Sequence, residues 1–530
     1  MKKLYNDFKT ATPIFSLLVK PESHLPLSPI YKKSGLEECN INEIQTLETE
    51  PEIYFCNNLN ENQKSAVKMA LTQPITLIEG PPGTGKTTVA CEIILQFHAN
   101  TEFSGKTLVC AETNLAVDNI VRKLCNSKLN ILRLGNSENI SSDVLAVSLD
   151  GKISDHSAKT CQRVSYRDQE GIEHRHTKII LKIIQESDVI LTTCAGANDK
   201  NLENVEFMQV ICDEATLIRE PTLLCALVHF PKKLILIGDP AQMGPVEIRE
   251  NPSCMDQTTE FLNIAKSVCA TNFKLKLLSI TAFHRLAESN MVPKCFLNEQ
   301  FRMHPELMKF PAAEFYNGRL KSAVEAKNRP LPNFPWPNKR YPFCFVNSPP
   351  AAEKRIGSSY TNKVEADIVV KCIEMLLDLN EDKRNERLMT GLTDIAVVTP
   401  YKQQVLLIKQ RLSSKFSKIE VNSVDGFQGR EKDVILVSSV RSNSTQSVGF
   451  MDDKKRINVL LTRARCGFIM IGNRDTLISS AILKNWINKA PVLDLELLTR
   501  LKESKQNMPV KHLSNRSKYS NRGGTFPKSN

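Results

Sequence analysis

Residues Gly80 to Thr88 read GPPGTGKTT and lie between a β-branched run, QPITLIE, and an amphipathic run, VACEIILQFHA. In this G-x-x-x-x-G-K-T pattern Gly80, Pro81, Pro82, Gly83, Thr84 and Gly85 form a loop, and Gly83 and Gly85 let backbone N–H groups curl around phosphate oxygens. Lys86 is then placed to neutralise β and γ phosphates and the Thr87 hydroxyl to hold Mg²⁺, with Thr88 counted beside them among the nucleotide-binding residues. A chance glycine turn is the bland alternative, and the strand before and helix after weigh against it. A second metal ligand and a base are still needed. The run MQVICDEAT supplies both at the end of an apolar strand: Asp213 for the metal and Glu214 to orient and deprotonate water. That adjacency points to hydrolysis rather than transfer to an acceptor. Positive charge must also reach the γ-phosphate, and Arg302 in NEQFRMHPEL and Arg463 in RINVLLTRARCG are the candidates. For either arginine taken alone, a structural salt bridge is the commoner reading.

These groups need strands whose ends face one way. From about Ile75 short β-rich runs alternate with helical ones, the pattern of an α/β fold with a parallel sheet covered by helices on both faces. The runs ITLIEG, TLVCAE, ILRLG, VILTTC, MQVICDE and LILIGD read as its strands, several ending in a polar turn where such sheets place ligands. The pattern breaks at about 136–187, which reads as a helical insertion into the first lobe. Within it His174 and His176 read as part of a solvated charged turn rather than as metal ligands, since no further ligand stands at useful spacing. A second series, FCFVN, IAVVTP, VILVSSV and FIMIG, implies a second lobe, and the proline-rich RPLPNFPWPNKRYP between them reads as a rigid surface loop. The expected division is an N-terminal extension over 1–58, a first lobe over 59–290, a second over 291–495 and a basic tail over 496–530. The last thirty residues hold seven Lys or Arg against one acid, too polar to bury a core.

Composition narrows the class. At 530 residues, 41% hydrophobic and 24% charged, the chain is an ordinary globular one with room for two or three domains. A net charge of +12 favours a polyanionic partner such as nucleic acid, although excess lysine also serves solubility. Fifteen cysteines, scattered from Cys39 to Cys466 with no C-x-x-C pair, argue against a disulfide framework or a zinc ribbon, so no zinc is expected. No stretch approaches the apolar length needed to span a bilayer, and the expectation is a cytosolic or nuclear protein away from membranes.

The runs GPPGTGKTT, DEAT, LIGDPAQMGPV, LNEQFRMHP, VTPYKQQ, SVDGFQGREKDVILVSSVRSN and NVLLTRAR occur in the order of the superfamily 1 helicases. With FPWP and SSYTNKVEA between them, the chain resembles the up-frameshift branch of that superfamily from about Asn60 to Ala490. The resemblance implies two RecA-like lobes, ATP and Mg²⁺ between them, and single-stranded nucleic acid, RNA more than DNA, across their tops. It casts Gln63 as the reader of adenine, whose amide offers both a donor and an acceptor. It casts Gln242 as the γ-phosphate sensor, Phe301 as the adenine stack and Glu431 as the ribose contact. Arg302 and Arg463 match two arginines reaching across from the second lobe. Thr113, Asn114, Thr193, Thr399, Pro400 and Tyr401 match contacts to the nucleic-acid backbone, although each could equally be a local turn or cap.

Two departures stand out. Where the family's acidic motif usually continues to a glutamine, this chain has Leu217, which cannot make that residue's hydrogen bonds and so weakens the expected coupling between hydrolysis and strand. The zinc domain of the nearest branch members is not expected before Gln63, and their small stalked barrel is expected to be missing or reduced. The reading is an ATP-dependent helicase or translocase working 5′ to 3′ as a monomer, with an ATP-gated single-strand clamp that does little unwinding as the alternative.

Overall fold

The computed structural model describes residues 53, 55–100, 105–159, 169–245, 281–289, 292–350, 353–380, 394–412 and 416–496. The expected N-terminal extension and basic tail fall almost wholly outside them. Seven runs pair in parallel into a first sheet: β1 (Ile75–Glu79), β2 (Lys106–Ala111), β3 (Ile131–Arg133), β4 (Val189–Thr193), β5 (Phe207–Asp213), β6 (Lys233–Gly238) and β7 (Lys294–Phe296). Their order is β3-β4-β2-β5-β6-β1-β7. A second parallel sheet joins β8 (Phe343–Asn347), β9 (Ile395–Thr399), β10 (Glu420–Ser423), β11 (Lys432–Ser438), β12 (Ala464–Gly472) and β13 (Val492–Leu493) in the order β10-β9-β11-β12-β8-β13. The two RecA-like lobes implied by the sequence are therefore present.

The central strands bury both faces, which is why they read as unbroken apolar runs rather than alternating ones. In β5, Val210 and Cys212 enter one core of the first lobe while Ile211 enters the other. In β11, Ile435 and Val437 face one core of the second lobe while Val434 and Leu436 face the other. Register sets the rest of the design. Glu79 lies opposite Gly238 and Cys212 opposite Leu236, so the ends of β1, β5 and β6 finish level and their loops open on one edge.

Two expectations need correction. The strand Lys294–Phe296 hydrogen-bonds to β1, so the first lobe runs past the expected boundary at 290. The segment around His174 and His176 is a helix, Gln169–Glu186, and not a turn. Its isoleucines recur at helical spacing, and Ile183 and Ile184 enter the first lobe's core with Ile179 and Ile180 packed against it. The same insertion carries a second helix, Leu149–Lys159.

Candidate ATP and nucleic-acid cleft

Between the sheets lies a cleft of about 2150 Å³, lined by Pro81 to Thr87, Asp213, Glu214, Gln242, Phe301, Arg302, Glu431 and Arg463. The P-loop is shaped by its glycines: Gly83 and Gly85 take φ of 77° and 84°, in the left-handed region that a side chain disfavours. A Cβ on Gly83 would also meet Arg302 Cβ at 2.6 Å. The helix α1 (Lys86–Ala99) starts there, and Lys86 Nζ rests on the Gly80 carbonyl at 2.8 Å. Backbone donors at a helix start, a lysine at the loop and glycine-only curvature together fit a polyphosphate.

At the end of β5, Thr87 donates to the Asp213 carboxylate. Burial, and then the neighbouring Glu214 charge, raise Asp213 to about 6 against the pull of Lys86. A hydroxyl and a carboxylate side by side are oxygen donors of the kind Mg²⁺ takes. Glu214 holds a φ of 50°, a strained conformation for a non-glycine residue. Its Oε2 is buried and without a hydrogen-bond partner among the described residues. An orphaned carboxylate oxygen in a cleft is suited to accept from water.

Across the cleft, Arg463 precedes β12 and is buried, donating to Gln242 Oε1 at 2.9 Å. Burial, and then Arg302, weaken its hold on its proton to about 9, which leaves it charged at neutral pH. Arg302 donates to Glu431 and to the Thr462 carbonyl. It stands on the connecting segment just after β7, where the Phe301 N–H bonds the Gly83 carbonyl at 2.8 Å, so its backbone is seated on the P-loop. Phe301 is 42% exposed.

Several other expected residues are engaged by neighbouring groups. Gln63 does not line the cleft: Asn60 and Gln63 cap the helix Glu61–Thr72 reciprocally, and the capping bond turns the Gln63 amide onto the Thr84 carbonyl at 3.0 Å. The Thr88 hydroxyl accepts from Lys123 at 2.6 Å. Glu431 faces Arg302 and Arg465; burial works against it, yet the two guanidiniums hold its carboxylate below the ordinary range.

The strand-binding candidates split in the same way. Thr113, Pro400 and Tyr401 line the cleft, as does the half-buried Leu217. Thr113 also caps the helix Asn114–Leu124, and Thr193 accepts from the Gly196 N–H, the local roles that strand-end hydroxyls commonly take. Asn114 accepts from the buried Arg133, itself paired with Asp118 at 2.9 Å. Thr399 is buried at the end of β9, and its hydroxyl has no partner among the described residues.

Three residues were not singled out from sequence. Tyr316 donates to Asp239 at 2.8 Å and accepts from Asn458 at 2.7 Å, while Asn458 also donates to the Ala241 carbonyl. Gln242 donates to the same Asp239 at 2.7 Å, and the loop after β6 is bonded to the second lobe at three points, Asp239, Ala241 and Gln242. Asp239 and Asn458 sit inside the runs GDPAQ and RINVLL and were legible as company of Gln242 and Arg463, whereas nothing marks Tyr316.

Two family models, each described as an AAA domain, match the chain, one over 58–170 and 155–250 and the other over 278–475. The chain is 33% identical over 474 residues to "Regulator of nonsense transcripts 1" of Dictyostelium discoideum, covering 84% of this chain and 33% of that protein. It is 34% identical over 446 residues to "ATP-dependent helicase NAM7" of Saccharomyces cerevisiae, covering 80% and 42%. Among solved structures, an arterivirus helicase in complex with DNA matches 79% of this chain and 65% of that one at 12% identity, with a TM-score of 0.38. The chain spans well under half the length of these curated relatives. Seven ordered motifs gathered on one inter-lobe cleft, together with relatives at this identity over four fifths of the chain, mean that it belongs to the up-frameshift branch of the superfamily 1 helicases.

Proposed function

We propose that this chain hydrolyses ATP in the inter-lobe cleft and uses the cycle to move 5′ to 3′ along single-stranded nucleic acid, RNA before DNA, working as a monomer. The observation that carries the reading is the meeting of Arg463 from the second lobe with Gln242 from the first, in the cleft that also holds Lys86 and the free Glu214 oxygen. Bound MgATP supplies the phosphoanhydride bond, held by the P-loop amides, Lys86, Thr87 and Asp213. Glu214 takes the proton from the attacking water. Arg302 and Arg463 compensate charge on the γ-phosphate, and because Arg302 is bonded to Glu431 and Thr462 and Arg463 precedes β12, they reach it together only when the lobes are closed. No helix among the described residues is long and apolar enough to cross a membrane.

A second reading, a clamp that grips strands without unwinding them, is favoured by Leu217, which puts hydrocarbon in the cleft wall where the family usually has an amide. One experiment separates the readings. Steady-state ATP hydrolysis is measured with and without single-stranded RNA and DNA, beside unwinding of duplexes carrying a 5′ or a 3′ tail. The motor reading expects stimulation, stronger with RNA, and strand separation from the 5′ tail. Stimulation with strands left paired selects the clamp, and hydrolysis indifferent to both polymers overturns both.

A further inference from the structure

Away from the phosphates, the wall of the same cleft carries a row of rings and guanidiniums contributed by separate segments of the second lobe. Tyr360 lies on the hairpin strand Ser359–Asn362, Tyr401 follows β9, and Phe450 lies on the short helix Gly449–Asp452. Ring centroids are 5.3 Å apart between Tyr360 and Tyr401 and 5.5 Å between Tyr401 and Phe450. The Arg441 guanidinium lies over Tyr360 at 4.4 Å and that of Arg456 over Phe450 at 5.0 Å. All five residues line the cleft.

The row is built rather than incidental. Glu353 holds Arg441 at 3.0 Å, and the Arg441 guanidinium donates to the Tyr401 hydroxyl at 3.3 Å. Asp425 holds Arg456 at 3.1 Å. Gly449 has a φ of 58°, and a Cβ there would collide with both Arg441 and the Tyr401 hydroxyl, so only glycine lets Phe450 come this close. Tyr401 is buried, but Phe450 is 38% exposed and belongs to none of the hydrophobic cores. Among the described residues Phe450 and Phe301 are the two exposed phenylalanines, and both open on this cleft. Phe301 stands beside the P-loop, whereas Phe450 stands beside Tyr401.

Partly exposed aromatic rings braced by arginines in a groove are suited to the flat faces of unpaired bases, because stacking is tolerant of sequence and gains from a nearby cation. We propose that Tyr360 and Phe450 form a base-stacking shelf for single-stranded nucleic acid, with Arg441 and Arg456 bracing the rings and Tyr401 as the spacer between them. The assignment rests on the strand-binding reading of the cleft and adds to it: backbone contacts alone ignore the bases, and this shelf does not.

The test compares binding of a short fluorescein-labelled oligoribonucleotide with that of the same oligomer lacking its bases, by anisotropy, for the wild type, Phe450→Ala and Phe450→Trp. A 2-aminopurine probe in the intact oligomer reports stacking through quenching of its emission. Phe450→Ala is expected to weaken the intact oligomer about tenfold, leave the abasic one unchanged and abolish the quenching, while Phe450→Trp restores both affinity and quenching. Equal affinities for the intact oligomer, or an equal loss on the abasic one, overturn the shelf while leaving strand binding in place. Failure of the wild type to bind either oligomer overturns the strand-binding reading itself, and the shelf with it. Unfolding midpoints of the three proteins keep a misfolded variant from counting, and Tyr360→Ala repeats the test at the other ring.

Discussion

At the phosphate end of the cleft the charged side chains are fastened by directional bonds: Lys86 to Gly80, Thr87 to Asp213, Arg302 to Glu431 and Arg463 to Gln242. At the opposite end the wall is made of rings in edge and tilted contact, and the one buried hydroxyl at the end of β9, on Thr399, is bonded to nothing among the described residues. Phosphoryl transfer tolerates little misplacement, so its groups are held before anything binds. A moving track must be gripped and released at every step, and contacts that are broad rather than directional allow both.

The contrast is breakable. The largest effect is expected at the fastened end: Lys86→Ala abolishes hydrolysis, and Glu214→Gln keeps ATP binding while lowering turnover about 10³-fold, read by phosphate release and a fluorescent nucleotide. Wild-type turnover in Glu214→Gln would remove the base assignment.

Next is Glu365, fully buried beneath the ring end and bonded to Ser438 at 2.6 Å and to the Val440 N–H at 2.8 Å. Burial raises it to about 7 despite those bonds. A carboxyl raised in the folded state contributes stability that is complete below its ordinary value near 4.5 and is lost as pH rises through about 7. The wild type is therefore expected to lose ~3 kcal/mol between pH 5 and 8 that Glu365→Gln does not lose, measured by denaturant unfolding at each pH. Parallel pH profiles for the two proteins would show the carboxyl to be no more perturbed than a surface one.

Tyr316→Phe removes the hydroxyl joining Asp239 to Asn458 and is expected to cost ~2 kcal/mol of stability and to lower kcat several-fold with little change in KM. An unchanged kcat would make the bond a packing contact only. The smallest effect is the most discriminating. Thr399→Val should stabilise the free protein by ~1 kcal/mol, because it removes a buried hydroxyl with no partner, and should weaken single-strand binding at the same time. Stabilisation without weaker binding would take Thr399 out of the strand path.

What the sequence disclosed follows physical lines. Polar groups directly after apolar strands, as in VICDE and LIGDPAQ, were legible because a level sheet edge leaves such groups facing one cleft. Gln63 was not, since Asn60-x-x-Gln63 is equally a capping box and its letters do not say which bond prevails. Three-residue β7 is too short to give periodicity, so the lobe boundary was set too early. The Tyr316 bond to Asp239 joins residues far apart in the chain, and no local spacing announces it.

The attachment of β7 to the first sheet has a mechanical consequence. From Phe296 to Arg302 there are only a few residues, and the Phe301 N–H is bonded within the P-loop, so Arg302 is on a short leash. Arg463 has no such tether and travels with β12. When the lobes part, Arg302 is drawn taut between the jaws, its backbone held at the P-loop and its guanidinium held by Glu431 and the Thr462 carbonyl, while Arg463 simply departs.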